Sequence, residues 1–344
     1  MTEKSPLESF TLLQPIISPI LRREFLNEIF DTDLETVAVQ SVDDGYRSFF
    51  SRYSTLCTLG ANRSRGIEQI THWQLVKVIE LLKGDEQRND LLSKVKELLD
   101  RTVGEDFANA LIDVAASTWL MLSIGVFSGD ISYDEHLAWE KDRLFHNPYF
   151  SRQKRPREAV KLPQTFTAAH LEKIGGIEVR WTDNLADHLL LRDDDTKVML
   201  FHQVSILYLH KQSKNTLLPG NFADETIRTI SLLLPPVLGK PNPWFQRELR
   251  RYSLDASAGT CDRLNSSQRQ IDQFEYWADR LILLKRTFDE AEPRTLAQLW
   301  WDDRRKTQWF TFWVAVLVFV MTVFFGVVQS VAGIVQAWAA VKVL

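Results

Sequence analysis

After Lys306 the chain carries no charged residue until Lys342, and Trp309 to Val328 is a run of twenty residues broken only by Thr311, Thr322 and Gly326. At a rise of ~1.5 Å per residue the run covers ~30 Å, the thickness of a hydrocarbon core. A buried core helix can carry the same composition, but an uncharged run this long needs a larger domain around it than most chains of 344 residues provide. A transmembrane helix over residues 307–341 is therefore expected, with the lipid bilayer as its partner.

The flanks fit that reading. Arg304, Arg305 and Lys306 precede the run, Trp309 and Trp313 suit the headgroup level, and Trp338 suits the far side, ~43 Å from Trp309 along a helix. Basic flanks stay cytosolic, and Asp302 and Asp303 weigh little against them, so the N-terminal body is expected in the cytosol. The segment from Met1 to Ser18 lacks the basic start and continuous apolar stretch of a secretory signal. The expected topology is single-pass and tail-anchored. A long apolar span with only Lys342 beyond it favours the endoplasmic reticulum or a secretory-pathway membrane over the mitochondrial outer membrane.

Within the run, Thr322, Gly326, Gln329, Gly333, Gln336 and Ala340 follow at steps of four and three, which places small and polar residues on one stripe. Two copies could approach along it, with the glutamines hydrogen-bonding across the pair, so a homo-oligomer through this helix is a candidate assembly. Small residues are also common in membrane helices generally, and both glutamines could sit at the far interface.

The remainder reads as a mainly α protein with a small β-hairpin element. A 45% apolar and 25% charged composition suits a chain that buries a core, and 41 basic against 45 acidic residues leaves no global field for nucleic acid. Residues 1–150 form a helical region: Ile67 to Leu82 and Leu91 to Leu99 show helical periodicity. Phe107 to Val126 is apolar, but its uncharged stretch is too short for a comfortable crossing and reads as a central core helix. Residues 151–166 form a basic linker, with Arg152, Lys154, Arg155, Arg157 and Lys161 broken up by Pro156 and Pro163. In 167–240, Thr167 caps a helix to Ile174, Ile177 to Thr182 reads as a strand, and Leu189–Leu191 with Val198–Phe201 reads as a hairpin around an acidic turn. That acidic tip would repel phosphate and argues against a DNA-binding winged helix. Residues 241–306 carry further helices, one traced by Ile271, Phe274, Ala278, Leu281, Leu284 and Phe288.

No pattern for a known chemistry is present: no nucleophile elbow, glycine-rich phosphate loop, His-Glu-x-x-His, Cys-x-x-Cys or calcium loop. Cys57 and Cys261 are too few for a disulfide framework or a thiolate zinc site, and no cofactor or metal is expected. The one concentration of titratable groups is Asp187, His188, His202 and His210, near Arg180. Eight residues apart, His202 and His210 would share a helix face and could serve a metal or acid/base role with Asp187. The plainer alternative is that they satisfy local hydrogen bonds.

Two blocks, LPQTFTAAHLEKIGGIEVRWTDNLADHLLL from Leu162 and LWWDDRRKTQWFTFWVAVLVFVMTVFFGVVQSVAGIVQAW from Leu299, resemble a set of uncharacterised filamentous-fungal proteins that pair a helical body with a C-terminal hydrophobic segment. The resemblance implies a fungal source and a membrane-attached product, and carries no catalytic residue across. The tail is also similar to that of fungal CorA-like magnesium channels, but no Gly-Met-Asn follows the span, so transport is not implied. The expected function is a non-enzymatic interaction or scaffold protein whose protein partner is unidentified. The alternative is a membrane-tethered enzyme acting on an apolar substrate, with a pocket near Arg180, Asp187, His188 and His202.

Overall fold

The computed structural model describes residues 5–34, 44–84, 86–99, 103–125, 160–291 and 306–343. It is mainly helical with one small sheet. Two compact units divide the chain: Met1–Glu172 with Ile177–Glu290, called the body below, and Lys173–Gly176 with Ala291–Leu344.

The first half of the body is built on α1 (Pro19–Phe30), α2 (Arg47–Arg63), α3 (His72–Leu82), α4 (Arg88–Leu98) and α5 (Glu105–Leu120). The apolar stretch that reads as a core helix is α5, and its side chains from Ala110 to Leu120 are all buried. Helices α2, α3 and α4 pack around it. Gly60 lets α2 come close, because a Cβ there would meet Val114 Cγ2 at 2.6 Å. Asp113 on α5 is buried and neutralised from both sides, by Arg88 Nη2 and Arg63 Nη1, each at 2.6 Å. Helix α3 starts later than its periodicity predicts. Ile67–Gln69 is a separate 3₁₀ turn, and the α-helix begins at a capping box in which Thr71 and Gln74 bond each other's backbone N–H.

The second half opens with α6 (Ala168–Lys173), whose last residue is counted with the second unit and where Thr167 Oγ1 accepts the His170 N–H. Strands β1 (Glu178–Thr182), β2 (Leu191–Arg192) and β3 (Lys197–Phe201) follow. The expected hairpin is present as β2–β3, antiparallel, paired one residue further toward the turn on each side than its apolar runs suggest, with Leu189 left-handed (φ 61°) and outside the strand. Strand β1 adds parallel to β3, giving the mixed order β1-β3-β2. Helices α7 (Val204–Gln212), α8 (Phe222–Leu233), α9 (Pro243–Tyr252) and α10 (Ala278–Glu290) complete the body.

The continuous helix expected from Ile271 to Phe288 is corrected by the structure. Ile271–Gln273 is a 3₁₀ turn, and α10 starts only at Ala278. The cause is Glu225 on α8, a buried carboxylate that accepts the backbone N–H groups of Glu275 (2.7 Å), Tyr276 (2.7 Å) and Trp277 (2.9 Å). Those amides are taken by a distant side chain and are not left for an intrahelical ladder. The apolar residues still face inward: Ile271, Phe274, Ala278, Leu281, Leu284 and Phe288 are all buried.

In the second unit, α11 (Lys306–Val343) is a single helix of 38 residues, ~57 Å long at 1.5 Å per residue.

Candidate functional site

Two places attract a functional reading: the titratable cluster of the body, and α11.

In the cluster, the chain after α5 turns at Met121 in a left-handed conformation (φ 54°) and bonds the β1–β2 connection, with Leu185 N–H donating to Met121 O at 2.8 Å. Asn184, fully buried, organises that junction. Its Oδ1 accepts the N–H of Ser123 and of Ala186, and its Nδ2 donates to Asp187 at 3.0 Å. Asp187 also faces Arg192 at 3.7 Å.

His188 is buried with both ring nitrogens engaged. Phe201 N–H donates to Nδ1 at 3.3 Å, which leaves Nε2 to donate to Thr229 Oγ1 at 2.6 Å; that hydroxyl donates onward to Thr226 O. Burial, and then the charge of Arg280, hold its pKa well below the ordinary histidine value. Trp277 packs edge-on to the ring, and Arg280 Nη1 donates to the carbonyls of Ala186 and His188.

His202 does not share a helix face with His210, which corrects the spacing argument: His202 lies between β3 and α7, ahead of the helix. Its Nδ1 accepts the Asp255 N–H at 3.2 Å and its Nε2 faces Asp183 at 3.1 Å. Burial pushes the Asp183 carboxyl up, but the hydrogen bond and charge of His202, the Arg52 charge and the Gln203 amide outweigh it and hold the group at about 2. Asp255 accepts the N–H groups of Ser205 and Ser257, and burial raises its pKa. His210 donates from Nε2 to Trp119 O at 2.8 Å and accepts from Thr216 at Nδ1; burial lowers its pKa to about 4.

The candidate histidines are thus buried with both ring nitrogens engaged: His188 and His210 by an amide, hydroxyls and a carbonyl, His202 by the Asp255 amide and the Asp183 carboxylate. Arg180 is paired with Glu178 on β1, at the surface. Among the described residues no group of three His, Cys, Asp or Glu has the arrangement of a metal site. His72, which the sequence did not single out, plays the same part: Tyr53 Oη donates to its Nδ1 at 2.7 Å and its Nε2 donates to Gln14 O at 2.8 Å. A histidine and tyrosine nineteen residues apart leave no pattern by which sequence could pair them.

Helix α11 is the other candidate. Phe310–Gln336, 27 residues with mean hydropathy 2.5, is long and apolar enough to cross a membrane, and none of it is buried. It is the one such helix among the described residues. At ~100° per residue Thr322, Gly326, Gln329, Gly333 and Gln336 fall within a ~80° arc. A Cβ at Gly326 or Gly333 would meet nothing within 4 Å. The Thr322 hydroxyl is satisfied by Val318 O at 2.8 Å and that of Ser330 by Gly326 O at 2.9 Å, so neither needs a partner from outside the helix. Trp313 and Trp338 lie on α11, and Trp338 is exposed. Arg304 and Arg305, like the basic residues from Arg152 to Arg157, lie outside the described residues, as do the side chains of Lys306, Trp309 and Ala340.

Comparison with protein families, with curated proteins and with solved structures finds no match for this chain.

Proposed function

We propose that the chain is a single-pass, tail-anchored membrane protein whose body stays on the cytosolic face of an endoplasmic reticulum or secretory-pathway membrane and acts there as a non-enzymatic interaction protein. The observation that carries the reading is the exposed apolar surface of Phe310–Gln336, which would be untenable in water and needs lipid or protein around it. The basic triplet Arg304, Arg305 and Lys306 supports the orientation. The core positions of His188, His202 and His210 favour an interaction role over catalysis, because both nitrogens of each ring already serve the fold. Self-association along the Gly326 and Gly333 stripe is part of the proposal, supported by its narrow arc.

The body carries its own topology reporters. Asn62-Arg-Ser and Asn265-Ser-Ser are glycosylation sequons with exposed asparagines, and Asn265 sits in an open turn. The resemblance of Leu162–Leu191 and Leu299–Trp338 to filamentous-fungal proteins makes a fungal cell the suitable host. Full-length chain expressed there should resist alkaline extraction from membranes and show no endoglycosidase-sensitive mass shift. A shift abolished by Asn265→Gln would overturn the orientation, and release into the alkaline supernatant would overturn the anchoring.

A further inference from the structure

Between α8 and α9 the chain makes a two-residue turn closed on both sides: Val237 N–H donates to Lys240 O at 2.9 Å and Lys240 N–H to Val237 O at 3.1 Å. Both central residues are left-handed, Leu238 at φ 53° and Gly239 at φ 72°. Such a turn favours asparagine, aspartate or glycine at its first central position, and a leucine there works against its own backbone. Leucine normally repays such strain by burial. Leu238 is 96% exposed and Val237 51% exposed, so the tip presents an apolar pair to the surroundings.

The turn is fastened to the body at its base. Pro235, Pro236, Pro241 and Pro243 stiffen its two arms. Asn242, the N-cap of α9, accepts the Phe245 N–H and donates from Nδ2 to Pro235 O, fastening the base of the turn to the start of the helix. Helix α9 itself is sharply two-faced. Phe245 is buried, and Glu248 accepts from Trp181 Nε1, which fixes the inward side. Arg247, Arg250 and Arg251, at i, i+3 and i+4, share an exposed arc of ~100° roughly opposite Phe245. Together with Lys240 at the turn they give four exposed cations, none in an ion pair among the described residues; Arg251 lies over the Tyr252 ring.

From this juxtaposition of a strained, exposed apolar tip and an unpaired basic face, we infer that the 237–251 surface docks on an anionic membrane leaflet, with Val237 and Leu238 entering the interface and the arginines meeting the lipid headgroups. The inference rests on the membrane anchoring proposed above: a body tethered to a bilayer meets that surface at high effective concentration. The charge fits as well, because the cytosolic leaflet is the anionic one. Apolar tips and polybasic faces work together at such surfaces, the first through area buried and the second through electrostatic attraction. Each cation near an anionic surface changes the docked-to-undocked ratio roughly fivefold, so reversing three should lower it by at least ~100-fold.

The test uses the full chain in vesicles of phosphatidylcholine alone, or with 30% phosphatidylserine, carrying an environment-sensitive dye at Leu238→Cys; Cys57 and Cys261 are buried. Flotation after alkaline washing establishes anchoring in either lipid, so a chain that fails to float refutes the anchoring and, with it, this inference. In a chain that floats, the dye should shift to the blue and be quenched by brominated lipid only where phosphatidylserine is present. Arg247→Glu/Arg250→Glu/Arg251→Glu should abolish both signals. Leu238→Asn, which suits the left-handed position, should leave the thermal midpoint unchanged or raised, showing that the leucine does not serve the fold. A dye in water in both vesicles, burial indifferent to phosphatidylserine, burial that appears only on adding RNA or an acidic polypeptide, or a lowered midpoint in Leu238→Asn would each overturn the inference.

Discussion

Glu225 is a buried side chain whose loss of charge should cost the body heavily for a change of one atom. Its carboxylate accepts three backbone N–H groups just ahead of α10, two on Oε1 and one on Oε2. Bonds to a charged acceptor contribute about 1.5–3 kcal/mol each, against about 1 kcal/mol for neutral ones. In Glu225→Gln the amide oxygen can keep the Tyr276 and Trp277 donors at neutral strength, losing about 1 kcal/mol apiece. The new NH₂ group then points at the Glu275 N–H, a donor against a donor, and leaving that amide unmet costs a further ~1–3 kcal/mol. Against this stands the relief from desolvating a carboxylate, so the net loss should be about 3 kcal/mol, a large fraction of the stability of a typical domain. Neighbouring bonds from Trp277 Nε1 to Thr226 Oγ1 and from Tyr276 Oη to Asn221 Oδ1 hold the same segment to α8, so the damage should stay local before it becomes global. Hydrogen exchange of the full chain in nanodiscs reads both: the amides of residues 275–277 and the first turn of α10 should lose protection first, and denaturant titration should give the ~3 kcal/mol. Protection unchanged at 275–277, or a loss under ~1 kcal/mol, would refute the claim that this carboxylate is what sets where α10 begins.

The histidines set a pH window. His210 titrates at about 4 in the folded chain and near 6.5 unfolded, so its contribution is whole above pH 6.5 and is lost as pH falls toward 4, by about 3 kcal/mol; His188 acts with the same sign. Denaturant midpoints measured from pH 7.5 to 4 should decline through that window, and His210→Gln should flatten the decline; an unchanged slope in the variant would sink the assignment. In α11, Gly326→Leu/Gly333→Leu should leave membrane insertion intact, since neither site meets a clash among the described residues, while crosslinking between differently tagged copies falls at least several-fold. Unchanged crosslinking would move any self-association to the body.

Where the cause of a structure lies within a few residues, the sequence carries it. The transmembrane-length helix, the core helix α5 and the β2–β3 hairpin each follow from a local run, an apolar stretch or a turn of the right length, and each is present. Where a distant group decides, periodicity misleads. From Ile271 to Phe288 the apolar spacing is helical throughout, and every one of those residues is buried, yet the backbone follows a carboxylate fifty residues upstream. The parallel pairing of β1 with β3 is of the same kind, because a five-residue strand does not announce which neighbour it will join.

The candidate site divides along the same line. Asp187, His188, His202 and His210 look like chemistry when they are read as a cluster of residue types, because clustering is what acid/base and metal sites need. What separates a catalytic histidine from a structural one is the partner of each ring nitrogen, and here those partners come from Phe201 and Thr229 for His188, Asp255 and Asp183 for His202, and Thr216 and Trp119 for His210, up to 91 residues away. His188 and His210, whose pKa burial lowers, donate to a hydroxyl and a carbonyl, and each satisfies two polar groups of the core at once only while uncharged. At neutral pH the body is therefore held in part by His188 and His210, which a drop in pH would turn against it. Arg247, Arg250 and the apolar tip ahead of them in the chain have no such engagement among the described residues, and it is on that surface, with α11, that contacts beyond the chain are to be sought.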